Sequence, residues 1–277
     1  MLGALIIVFR EVIEAGLIVG IMLAVTRGLK GSRGMIALGV AAGVAGASLV
    51  AAFAGVIAGA LAGVGQEIFN AGILFLAVAM LTWHNIWMAS HGREIATQMK
   101  NVGAQVKAGS RTVAALGVVV AVAVMREGSE VALFLYGLVA SANSTTPELL
   151  EGSAIGLALG AGVTLLTYFG LVTIPTKWLF RVTTVLIGFL AAGLAAQAVV
   201  FLQQAGLVEA LSQTAWDTSA WLSDRSLIGR VFHTLIGYSD QPSQMQVAVY
   251  AVVLVGGFAL SRAFAPVPPR VRVAAAE

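Results

Sequence analysis

Seven stretches of roughly 20 or more mostly apolar residues run through the chain, separated by polar segments that hold most of its charge. A helical crossing of a bilayer's hydrocarbon core needs about 20 apolar residues. The pattern therefore predicts an all-α integral membrane protein with seven transmembrane helices, near 2–26, 34–62, 66–89, 113–140, 148–174, 179–204 and 245–264. Residues 205–244 break the pattern. They hold Trp216, Asp217, Trp221, Asp224, Arg225 and Arg230, and read as an amphipathic segment lying at one interface. Chain 1–277 is thus a single transmembrane domain. Its first stretch lacks the basic flank and cleavage site of a signal peptide, and is read as a retained span.

Two of the seven stretches contain charge where none is expected. Arg10-Glu11-Val12-Ile13-Glu14 lies inside the first and Arg126-Glu127-Gly128-Ser129-Glu130 inside the fourth. One charged side chain at a bilayer centre costs roughly 2.5–3.5 kcal/mol on insertion scales, so six unpaired ones facing lipid would cost on the order of 15–20 kcal/mol. That exceeds the ~5–15 kcal/mol by which folded domains are usually stable. The six must therefore face the protein interior and pair with one another, and such residues are candidates for function.

The two motifs stand 116 residues apart, and the following stretches carry Gly39-xxx-Gly43 and Gly156-xxx-Gly160. Small residues at that spacing let helices approach closely in lipid. Three-helix units near 1–90 and 113–204 follow, with the helix at 245–264 outside the repeat. Because three is odd, the second unit inserts upside down. This 3+3 inverted repeat plus one extra helix matches the plan of many secondary transporters, which hold substrate near the midplane between the halves.

Charge fixes direction. Arg27, Lys30, Arg33, Arg93, Lys100, Lys107, Arg111, Lys177, Arg181, Arg262, Arg270 and Arg272 fall on one side of the predicted spans, and only Arg225 and Arg230 on the other. By the positive-inside rule this puts the N-terminus outside and the C-terminus in the cytoplasm. The basic sequence pI of about 9.5 is then a topology signal, and no nucleic-acid partner is called for. The outer side collects Glu67, Glu148, Glu151, Glu209, Asp217, Asp224 and Asp240, a weak funnel for an external cation. Glu67, Glu148 and Glu151 are candidates for the outer mouth of a pathway. The chain has no cysteine, which removes disulfides, thiolate metal sites and dithiol redox chemistry.

At about 100° per residue, the Arg and both Glu of each motif share one helix face. Two such faces meeting would bring together Glu11, Glu14, Glu127 and Glu130 with Arg10 and Arg126. Carboxylate oxygens are hard ligands that suit hard cations. The guanidiniums would hold the carboxylates ionised and oriented, and Ser129 offers another oxygen. His84, His91 and His233 are the only histidines. His84 and His91 fall near the predicted inner end of the third span, and read as interface residues instead of ligands.

On these motifs the chain resembles the oxidase-dependent iron permeases, the Ftr/EfeU-type family, whose signature is Arg-Glu-x-x-Glu in the first and fourth helices. The resemblance extends to Gln66-Glu67-Ile68-Phe69, Leu81-Thr82-Trp83, Trp87-Met88, Ala191-Ala192-Gly193-Leu194-Ala195 and Trp216-Asp217-Thr218-Ser219-Ala220. It implies uptake of ferric iron (Fe3+) as transported substrate across the inner, or plasma, membrane. It further implies no permanent cofactor, and an external or periplasmic ferroxidase-type partner that oxidises Fe(II) before delivery. Iron ions and membrane lipid are then its other partners.

Three other readings fit parts of the pattern. Carboxylates select poorly by identity, so manganese or lead could be the cargo. An intramembrane enzyme would want a His-rich cluster or a Ser/His pair inside the spans, which the pattern does not offer. A structural membrane protein would use the motifs only as Arg–Glu helix pins.

Overall fold

The computed structural model describes residues 1–60, 65–141, 145–170, 176–224 and 226–264. The ends of the second and fifth predicted spans (61–62 and 171–174), Arg225, Arg270 and Arg272 lie outside the described residues. Eight helices occur among the described residues: α1 (Leu2–Val25), α2 (Ser32–Ala60), α3 (Gln66–Lys107), α4 (Ala114–Ala140), α5 (Thr146–Tyr168), α6 (Thr176–Gln204), α7 (Leu227–Ile236) and α8 (Gln244–Ala263). The only pairing of β type described is an isolated bridge between Thr214 and Ser243.

Five helices are long and apolar enough to cross a membrane, over Ser32–Val56, Gln66–Met88, Thr146–Tyr168, Arg181–Gln204 and Gln244–Ala263. Their outward faces stay apolar: Leu49, Phe53, Val56, Val252 and Val255 are all largely exposed. Lipid is the solvent that matches such a surface, and the chain is a multi-pass membrane protein. α1 and α4, at 24 and 27 residues, have the length of a span and carry the charged motifs.

Glycines set the closest helix pairs. A Cβ added at Gly156 of α5 would lie 2.6 Å from the Leu5 carbonyl oxygen, and one at Gly160 2.9 Å from Val12 Cβ. Likewise a Cβ at Gly39 of α2 would sit 2.5 Å from the Gly117 carbonyl oxygen, and at Gly43 2.7 Å from Val124 Cβ. Residue numbers rise together along both contacts, so α1 runs parallel to α5 and α2 parallel to α4. Only glycine lets these backbones come so near.

The third helix departs from the pattern-based expectation. α3 does not end near 89 but continues to Lys107, 42 residues in all. If straight it would measure about 63 Å, twice a hydrocarbon core of ~30 Å. Its last turns fold over the ends of α1, α2 and α4: Val106 is buried with Met22, Ile36, Leu116 and Val120. The polar residues of 94–107 that suggested a loop are exposed on a helix whose other face is apolar.

Residues 205–224 and 226–243 form a cap against the start of α1. Trp216 Nε1 donates to the Ser239 carbonyl (3.2 Å), and the Tyr238 hydroxyl donates to the Leu222 carbonyl (2.8 Å). α7 ends at Gly237, whose φ of 67° suits glycine, and a Cβ there would lie 2.6 Å from Gly193 Cα of α6. Ser243 then opens α8 with a capping box: its Oγ accepts from Gln246 N (3.2 Å), and Gln246 Oε1 accepts from Ser243 N (2.7 Å). Two apolar clusters fill the interior. One, on the cap side, includes Ala4, Ile7, Leu74, Phe134, Leu138 and Leu194; the other is the Met22–Val106–Val120 cluster.

Candidate metal centre

Between those clusters the two charged motifs meet. On α1, Arg10 Nη1 lies 3.1 Å from Glu11 Oε1 and its Nε 2.9 Å from Glu14 Oε1, with all three side chains no more than 2% exposed. The helical spacing of 10, 11 and 14 lets one planar fork hold both carboxylates. On α4, Arg126 Nε lies 3.2 Å from Glu130 Oε1 and 3.9 Å from Glu127 Oε1. Its guanidinium stacks over Trp87, 4.2 Å from the ring centroid. Trp87 thus borders the site through a cation–π contact, whereas Trp83 is 70% exposed.

His84 was expected at the interface, and the structure places it in the centre of the site, 3% exposed. Its Nε2 lies 3.3 Å from Glu14 Oε2 and 3.9 Å from Glu11 Oε2, while Nδ1 lies against Glu130 Oε2. The reason is packing: α3 lies against both α1 and α4, which turns position 84 into the site although it stands four residues from the end of the apolar stretch Gln66–Met88. One ligand atom from each of Glu11, His84, Glu127 and Glu130 fits within a 4.8 Å cluster. With two guanidiniums against four carboxylates, the assembly attracts a cation.

The other predicted residues stand elsewhere. Ser129 Oγ donates to the Met125 carbonyl of its own helix (2.6 Å), so its hydrogen is spent locally. Glu67 is exposed in the first turn of α3, about 25 Å along the helix from His84. Glu148 pairs loosely with Arg230 at 3.7 Å, and Glu151 is exposed on α5. None of these three joins the central cluster.

The sequence model of the iron permease FTR1 family matches residues 1–265. The chain belongs to that family. Among curated relatives, the ferrous iron permease EfeU of Shigella sonnei (strain Ss046) is 32% identical over 267 residues, 95% of each chain, and that of Escherichia coli O157:H7 is equally similar. The putative inactive ferrous iron permease EfeU of Escherichia coli (strain K12) is 34% identical over 206 residues, 74% of this chain and 72% of its own. No solved structure matches the chain. In this member of the iron permease family, carboxylates from both charged motifs share one cluster with His84.

Proposed function

We propose that the permease moves iron across the inner membrane through one buried site made jointly by its two Arg-Glu-x-x-Glu motifs. The observation that carries this is the convergence of Glu11 from α1 with Glu127 and Glu130 from α4 on a single 4.8 Å cluster. The two arginines orient those carboxylates, and Glu14 pairs with Arg10 and His84 beside them. Charges from both halves make the site a property of the pair, as the midplane sites of repeat transporters are.

Seven crossings, with α1 and α4 added to the five apolar helices, give the topology. The N-terminus is outside and the C-terminus cytoplasmic, following the bias of basic residues. An inverted repeat of α1–α3 and α4–α6 accounts for the packing, because exchanging the halves turns the α1–α5 contact into the α2–α4 contact. The register of that exchange differs from the one in sequence: Gly43 meets Ala121 and Val124, whereas Gly156 meets Leu5 and Val8. Gly43 therefore answers to Gly156, and Gly39 to Gly152.

A pocket lined by Ser141, Gln197, His233 and Thr234 stands on the cap side. Leu138 and Phe134 lie between it and Glu130, one turn apart on α4. On the far side Val124, Val120 and Met22 close the way. A closed apolar layer on each side of a polar site fits alternating access between the halves, with the layers opening in turn.

Ferric iron delivered by an external ferroxidase-type partner suits the hard oxygens of the cluster's three carboxylates. Ferrous iron, the ion for which the EfeU relatives are named, is the second reading, and the imidazole nitrogen in the cluster favours it. Radiolabelled iron uptake by cells expressing wild type or Glu130→Gln tests the proposal, with Fe(II), Fe(II) plus oxidant, Fe(III) and Mn(II) supplied in turn. The variant loses iron uptake at normal membrane abundance. Equal uptake by both proteins leaves the motifs as helix pins, and an Mn(II) signal above iron assigns a different cargo.

A further inference from the structure

The cluster holds one group that the carboxylate motifs do not account for. Glu11 Oε2 and Glu127 Oε2 are each buried and without a hydrogen bond among the described residues, and beside them His84 Nδ1 meets Glu130 Oε2. These atoms belong to the four residues that can approach a common ion. A buried polar atom left without a hydrogen bond costs about 1–3 kcal/mol, and two such oxygens beside an imidazole nitrogen and a third carboxylate, drawn from three helices, make up a ligand set. The other ring nitrogen is already engaged, with Nε2 3.3 Å from Glu14 Oε2. Histidines that bind metals commonly do so with one nitrogen while a carboxylate holds the other and fixes the ring. Glu14, itself clamped by Arg10 at 2.9 Å, is placed to do that.

We infer that His84 is a direct ligand of the transported ion through Nδ1, with Glu14 positioning the ring through Nε2, and that this nitrogen makes the site prefer iron to manganese. The inference rests on the reading that the paired motifs form the transport site. Its chemistry is general. Imidazole is a borderline donor, and divalent affinity at nitrogen-containing sites rises from Mn(II) to Fe(II), whereas purely carboxylate sites suit manganese, magnesium and calcium. His84 also comes from α3, outside both charged motifs. The ion therefore ties α3 to α1 and α4, and three helices take part in whatever movement releases it.

The test uses purified full-length protein loaded with Mn(II), whose pulsed electron paramagnetic resonance reads directly bound nitrogen. Wild type shows a nitrogen coupling that changes when histidine alone is labelled with 15N and persists in a variant lacking His91 and His233 (His91→Gln with His233→Gln). His84→Gln loses it. Mn(II) bound without nitrogen coupling overturns the inference, and the labelling arm decides it even if His84→Gln does not accumulate. Glu130→Gln separates the two layers. If that variant still binds Mn(II) as wild type does, the paired-motif reading fails first. If it binds none while wild-type Mn(II) lacks nitrogen, the motif reading stands and the His84 assignment falls. In transport, the Fe(II)-to-Mn(II) uptake ratio of His84→Gln falls below that of wild type, because a carboxamide offers oxygen where the imidazole offered nitrogen. An unchanged ratio removes the claim on preference.

Discussion

Arg10 and Arg126 head the same five-residue pattern, yet the Arg10 side chain is 1% exposed and that of Arg126 is 41% exposed. Arg10 is closed in by its own carboxylates and the bundle. Arg126 stands at the edge of the site, where the face of Trp87 replaces a protein wall. The two arginines therefore share a role in orienting glutamates and differ in what their loss costs the fold.

Arg10→Lys should damage both folding and transport. A point-charge ammonium keeps the charge but does not reproduce a fork held at 3.1 and 2.9 Å by two buried carboxylates. Arg126→Lys should leave membrane abundance near normal and lower iron uptake. Quantitative membrane blots beside uptake rates check the split; equal abundance of the two variants would contradict the assignment of Arg10 as the structural clamp.

Gly156→Ala should destabilise the bundle by about 1–3 kcal/mol, the usual cost of forcing extra volume into a packed contact. The new methyl would meet backbone atoms, the Leu5 carbonyl oxygen at 2.6 Å and the Phe9 nitrogen at 3.0 Å, so no side chain can yield. Gly162→Ala, on the same helix with nothing within 4 Å, should be neutral or slightly stabilising. Thermal melting of the two variants in one detergent gives the comparison.

The acids outside the cluster should matter little. Glu148→Gln breaks an exposed pair with Arg230 that is worth about 0–1 kcal/mol, and Glu67→Gln alters an exposed first turn. Both variants should transport iron at near wild-type rates when it is saturating. A loss as deep as that of Glu130→Gln would move the rate-setting step to the outer mouth.

Asp217 and Asp224 should set the pH response of the cap in opposite senses. The Asp217 carboxylate accepts from Ser219 N (3.0 Å), Ser219 Oγ (2.7 Å) and Gln241 Nε2 (2.9 Å), and the Ser219 bonds above all hold its pKa below the usual 3.8. Its contribution is therefore complete above the ordinary Asp range and lost only as pH falls through the depressed value. Burial, aided by the neighbouring Asp240 carboxylate, pushes Asp224 up. Its ionisation works against the folded cap as pH rises through that raised value. Hydrogen exchange at the Ser219 amide should stay protected at neutral pH in wild type and be lost in Asp217→Ala.

Much of this was legible from the chain because lipid makes charge expensive: six charges in two apolar stretches have few explanations, and Arg10, Glu11, Glu14, Glu127 and Glu130 do meet. His84 was not legible for the same physical reason turned round. A lone imidazole beside Trp83, near a predicted helix end, has an ordinary interfacial explanation. The apolar periodicity of Val102 and Val106 signals the longer α3, but that position 84 faces the motifs depends on how α3 packs on α1 and α4. The glycine register misled in a smaller way. Gly39-xxx-Gly43 and Gly156-xxx-Gly160 look matched, but Gly152 extends the second row by a turn, and only the packing against α1 and α4 reveals which glycines correspond.

The central claim is one ion site built by both halves, and anaerobic equilibrium dialysis of purified protein with radiolabelled Fe(II) tests it most directly. The account predicts one ion per chain in wild type and loss of that same ion in Glu11→Gln and in Glu127→Gln, though these residues lie in different halves. Two ions per wild-type chain, with one surviving in each variant, would contradict it.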